Sequence, residues 1–236
     1  MYNPNQLSQV SKSCLNNAKQ YVKDAEMLYS TKSYGHALAL TVLGDIELGK
    51  AVIYHLCSKE LITEEVLPNQ YLSYFRENNF ERLASETWWV GVVLASNVDV
   101  LVSNLFNLTN YSGSIIVKGS RSKLTQETKN QISEIIKEMQ PKNKMIHELL
   151  EFASQGFFVK LKTEEKCCSP LNVDESLVKE RIGEIRERIV NGEPFLLLSF
   201  SETQKSIAQE LLKAAFESII PIRKEMNQLT IPLMGC

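Results

Sequence analysis

Residues 33–57 read SYGHALALTVLGDIELGKAVIYHLC, almost continuously apolar yet carrying Asp45, Glu47 and Lys50 in the middle. The stretch has no proline, and its only breakers are Gly35, Gly44 and Gly49. An apolar run of this length predicts a buried helix rather than a strand. At about 100° per residue, His36, Leu40, Leu43, Glu47, Lys50 and Tyr54 fall on one narrow stripe. Glu47 and Lys50 are then neighbours one turn apart. An ion pair in an apolar helix is costly unless it is satisfied, so this one is either a structural tie or a site. Asp45 points to the opposite side and is expected to be solvated.

Outward from this helix, apolar residues recur at three- and four-residue steps from Leu7 to Tyr29, which predicts a first long helix. The connection Ser30–Gly35 is short, so the two helices should lie antiparallel and pack on each other. On the other side, Asn69–Arg76 reads as a short helix after Pro68, and Phe80–Leu108 as a third long one. That third helix carries the most apolar run, Trp88–Phe106, but Ser96, Asn97, Asp99, Ser103 and Asn104 interrupt it. A mid-span aspartate is expensive in lipid, so a core helix is expected and not a membrane span. Asn97 and Asp99 are expected to face Lys50 or its neighbours, and with His36 they make a candidate structural polar cluster.

The stretch Asn110–Lys123 is rich in Ser and Gly, and it divides a helical module, 1–110, from a C-terminal extension, 111–236. In the extension, Thr125–Met139 is amphipathic and Pro141 opens a short helix to Ser154. Gly156–Lys162 alternates as a strand would, with Ser114–Lys118 as its candidate partner in a short two-stranded ribbon. A loop follows over Lys162–Asn172. Asp174 caps a helix that Asn191–Gly192 should close, and a last helix begins near Ser201 and is interrupted at Pro221. The fold class is mainly α.

The totals restrict function. A net charge of −2 over 236 residues argues against wholesale coating of nucleic acid. The five cysteines, Cys14, Cys57, Cys167, Cys168 and Cys236, show neither metal spacing nor a disulfide framework. Cys14 and Cys57 read as core residues, and no metal or cofactor is expected. The N-terminal MYNPNQLSQVSKS lacks the apolar segment of a secretory signal, so the cytoplasm is the expected compartment and no membrane partner is expected. The basic loop residues Lys118, Arg121 and Lys123 are a candidate nucleic-acid contact.

From Asp24 to Leu56, DAEMLYSTKSYGHALALTVLGDIELGKAVIYHL resembles the AbiV family of abortive phage-infection proteins, within the HEPN-like group of helical bundles. Asp24 and Ala25 match the family's first-helix pair, and Glu47, Leu48, Gly49, Lys50 and Ala51 match its second-helix signature, with Ile46 replacing the first glutamate. The likeness is read over residues 10 to 110. It implies a bundle that dimerises and a role in antiviral defence. It also implies that an RNA or protein partner is engaged, in many relatives through metal-independent RNA cleavage. Those nucleases use an arginine followed four to six residues later by a histidine, for acid–base work on the ribose 2′-OH and phosphate stabilisation. Here the histidines are His36, His55 and His147, and none follows an arginine at that spacing; Arg82 stands without one. Catalysis would therefore rest on Glu47 as base, with Lys50 or Arg82 holding phosphate. The alternatives are a non-catalytic dimeric binding module and a small nucleotide binder using a pocket around Lys50.

Overall fold

The computed structural model describes residues 3–104, 126–139, 160–163, 166–168 and 170–226. The first helix, α1 (Pro4–Ser30), starts where Asn3 and Gln6 cap each other, and Pro4 supplies a φ already suited to a helix. The helix expected over the central stretch is α2 (Tyr34–Ser58). The two lie antiparallel: Ala18, Ala25, Ala37 and Ala51 are fully buried, and the Ser11 hydroxyl donates to the Ala51 carbonyl at 2.7 Å.

Three helices end in the same way. The residues after the caps of α1, α2 and α3 (Leu72–Arg76) are Lys32, Glu60 and Asn78, with φ of 62°, 58° and 55°. Each donates its N–H to the carbonyl three residues back, and the next residue donates to the carbonyl five back, the Schellman closure. Glycine is the favoured residue at such a position, and Lys32 is an exposed lysine there. Lys32→Gly is expected to stabilise the protein by about 1 kcal/mol. A urea midpoint that rises with unchanged slope would show this; a midpoint at or below the wild type would contradict it.

After a 3-10 turn at Asn69–Tyr71 and α3, α4 runs from Phe80 to Ala95, with Asn79 accepting from the Arg82 N–H. The long helix expected to Leu108 breaks here. The Ser96 hydroxyl and the Asn97 amide nitrogen donate to the carbonyls of Val92 and Val93 at 2.8 and 2.6 Å, and the chain turns before restarting as α5, 98–104. Short polar side chains that hydrogen-bond to the preceding turn compete with the backbone ladder, which periodicity does not register. α4 crosses α2 at backbone contact: a Cβ on Gly49 would lie 2.0 Å from the Trp88 carbonyl oxygen, and one on Gly91 2.1 Å from that of Gly49.

The amphipathic helix α6 spans Gln126–Met139. A two-stranded antiparallel ribbon is present, with β1 (Lys160–Thr163) paired to β2 (Lys166–Cys168). Its second strand and a 3-10 turn at Pro170–Asn172 fall in the expected loop. The candidate partner 114–118, the basic loop at 118–123, the helix expected to 154 and the proposed boundary at 110–111 lie outside the described residues.

α7 (Glu175–Phe195) is capped by Asp174 as expected but runs through Asn191–Gly192. There the helix is gripped from outside. Lys19 pairs with Glu193 at 2.7 Å, Gly192 packs near Leu48 and Ala95, and Phe195 is buried. α8 (Glu202–Met226) likewise passes Pro221, since one proline removes a single ladder bond and need not end a helix. α7 belongs to the bundle: Val178, Ile182, Ile185 and Ile189 join the core made by α1, α2 and α4. Among the described residues, no helix is long and apolar enough to cross a membrane.

Candidate functional site

α2 carries three polar features. The first overturns an expectation. Asp45 is not solvated; it is 0% exposed. Positions one and two turns away on either side, Leu38, Thr41, Val42, Leu48, Gly49 and Val52, are all buried, so Asp45 lies at the centre of the helix's most covered side. It is satisfied from α7. Arg181 Nη2 donates to its Oδ2 at 2.6 Å, and Arg188 Nη1 donates to Oδ1 at 2.7 Å and Oδ2 at 2.9 Å. Glu184, between the arginines on the same face, accepts from both. Neighbouring Gly44 makes the approach: a Cβ there would lie 2.5 Å from Ile185 Cδ1. The signal for this network was in the sequence. Arg181 and Arg188 occupy the apolar stripe of α7, with Val178, Ile182, Ile185 and Ile189, and cations spaced seven apart in such a stripe need a buried acid.

The second feature is Glu47 with Lys50. The structure brings the two together, Lys50 Nζ donating to Glu47 Oε1 at 2.7 Å, with side chains 15% and 23% exposed. Burial pulls the Lys50 ammonium down, but the hydrogen bond and charge of Glu47 outweigh it and leave Lys50 above its ordinary pKa. A lysine so held stays protonated and does not serve as a base. Cys14 of α1 adjoins the pair; burial first, then the Glu47 carboxylate, push its thiol up to about 11, so it is unreactive. Leu48 and Ala51 are fully buried and Gly49 is the α4 crossing, so three of the five matched second-helix residues hold the bundle together.

The remaining predicted residues are not gathered here. Arg82 pairs with Glu86 at 2.7 Å and lies over the Tyr74 ring at 5.9 Å. Asn97 is buried in the turn between α4 and α5, where it donates back to Val93, whereas Asp99 is exposed; among the described residues neither is hydrogen-bonded or ion-paired to Lys50, whose partner is Glu47. His36 is exposed, with Nδ1 3.0 Å from the Ser33 hydroxyl, and eleven residues of helix put it about 16 Å along the axis from Glu47. The three form no cluster. Trp88 and Trp89 are core residues, 2% exposed, unavailable for base stacking. The two cavities described lie elsewhere, one apolar near Phe195 and Phe200 and one between α6 and α8. Among the described residues, no three His, Cys, Asp or Glu side chains converge as metal ligands.

The third feature is His55, 2% exposed, its Nε2 without a hydrogen-bond partner and its ring 5.8 Å from that of Phe195. Burial, then the Lys59 charge one turn on, lower its pKa from 6.5 to about 4. The unfolded chain therefore binds this proton more readily. Stability is whole above about pH 6.5, falls as pH drops towards about 4, and levels off below, by about 3 kcal/mol for this group. Carboxylates titrate nearby, so the wild type is compared with His55→Leu. The difference between their pH–stability curves should follow that window; parallel curves would contradict it.

A bundle of this construction is a HEPN-type helical domain. The family model for AbiV matches residues 6–191, and the chain belongs to the AbiV family of HEPN proteins, which act in abortive phage infection. The match extends beyond 110 and takes in α7 with both Asp45-binding arginines. Comparison with curated proteins and with solved structures finds no match.

Proposed function

We propose that this protein acts in phage defence as a non-catalytic, homodimeric binding module that engages a protein partner. The observation that carries this reading is the commitment of its arginines. All five with described side chains are paired to carboxylates: Arg76 with Glu64, Arg82 with Glu86, Arg181 and Arg188 with Asp45, and Arg186 with Glu26. With no histidine four to six residues after an arginine, the chemistry of ribose cleavage lacks its usual base, and among the described residues no arginine is left unpaired to clamp phosphate. A net charge of −2 gives RNA no broad basic surface, which favours a protein partner.

A second reading, metal-independent RNA cleavage, draws on the solvent-reaching Glu47–Lys50 pair, with Glu47 as base and Lys50 on phosphate. One experiment separates the two. Purified wild type, Glu47→Gln and Lys50→Met are incubated with labelled cellular RNA in chelator, after light scattering has established the oligomeric state. The binding-module reading expects a dimer, intact RNA and phage-triggered growth arrest that survives both substitutions. RNA cleavage abolished by either substitution would replace it with the nuclease.

A further inference from the structure

The cleft between α6 and α8 measures about 480 Å³, within the range of small-ligand sites. Lys129 and Lys137 line one wall and Lys213 the other. None of the three is ion-paired among the described residues, whereas every described arginine side chain is. Lys129 and Lys137 stand two turns apart on one face of α6, about 12 Å along the axis, with the apolar Ile132 and Ile136 between them at the floor. On α8, Glu210 and Glu217 flank Lys213 one turn to either side.

We propose that this cleft is a nucleotide site, taking a nucleoside diphosphate. Ammonium groups are strong point-charge partners for phosphate oxygens, and three of them line the cleft against two carboxylates, a net positive balance that favours a diphosphate. Carboxylates beside them are acceptors for ribose hydroxyls, the role an acidic residue has in dinucleotide folds. Ile132 and Ile136, only 4% and 6% exposed, and the half-buried Ala214 give a base a small apolar contact that does not read its edge, so adenine and guanine nucleotides bind alike. α8 lies outside the family-matched residues and α6 within them; the cleft shares no residue with the Glu47–Lys50 pair, so its test does not depend on the defence reading.

Calorimetric titration of the full chain with ADP, GDP, pyrophosphate and adenosine tests it, alongside Lys129→Ala/Lys213→Ala and the exposed-surface control Lys179→Ala. The replaced lysines are exposed, and circular dichroism verifies that each variant is folded. ADP and GDP should bind equally and more tightly than pyrophosphate or adenosine. The double variant should weaken ADP by about tenfold, the effect of two exposed charge pairs, while Lys179→Ala leaves it unchanged. No ADP binding, ADP affinity unmoved by the double variant, or pyrophosphate binding as tightly as ADP would overturn the proposal.

Discussion

Asp45→Ala is expected to cost about 3–5 kcal/mol of stability, because it leaves two buried guanidinium groups without their principal partner. Arg181 is 3% exposed and Arg188 8%, so water cannot replace the lost carboxylate. Glu184 stays in contact with both, but it is 40% exposed and holds them from the solvent side. In a domain of this size each kcal/mol moves the melting temperature by about 2–4 °C, so the loss is easily read by thermal or urea unfolding. A change below about 1 kcal/mol would mean that the arginines relax to solvent and that the network is not a buried one. The complementary experiment replaces the whole set, Asp45→Leu with Arg181→Met and Arg188→Leu. Desolvation of three charges is then removed along with their attraction, and the variant should be as stable as the wild type or more so. Together the two results would separate the cost of breaking the network from its net worth.

The second large effect is expected at the α2–α4 crossing. In an ordinary helix interior Gly→Ala gains about 1 kcal/mol. Gly49→Ala should instead lose about 3 kcal/mol, because the new methyl meets backbone, which cannot move aside as a side chain would. Its Cβ would lie 2.0 Å from the Trp88 carbonyl oxygen and 2.8 Å from the carbonyl carbon, so the helices would have to separate along the buried tryptophans. Gly183→Ala supplies the internal comparison. That glycine is on the exposed face of α7, a methyl there would meet nothing within 4 Å, and its substitution should stabilise by about 1 kcal/mol. If both substitutions shift stability in the same direction, close packing at Gly49 is not what holds the two helices.

These two expectations bear on what the Glu-Leu-Gly-Lys-Ala stretch does. Gly49 is there for approach, Leu48 and Ala51 for the core, and only Glu47 and Lys50 reach water. A short sequence likeness centred on those five residues is therefore chiefly a likeness of packing. That is why it points to the family, which the match over residues 6–191 shows, while saying little about chemistry. The same holds for Ala25 of the first-helix pair, fully buried, beside Asp24, which only accepts from the Gln20 side chain.

The sequence by itself determined the mainly helical class, the long helices α1 and α2 with the tight antiparallel turn between them, the cap at Asp174, the family, and the Glu47–Lys50 neighbourhood. All of these rest on interactions within a few residues, which periodicity and capping residues report directly. What only the tertiary structure decided was which side of α2 is inside. A helix apolar nearly all round has no preferred face until its neighbours arrive, and the stripe richest in polar residues proved to be its outer edge. Asp45 could be placed only once Arg181 and Arg188, 136 and 143 residues away, were brought against it. The same reason covers one helix end: Asn191–Gly192 carries a local stop signal that packing overrides. At Ser96–Asn97 the break instead comes from side chains bonding to their own backbone.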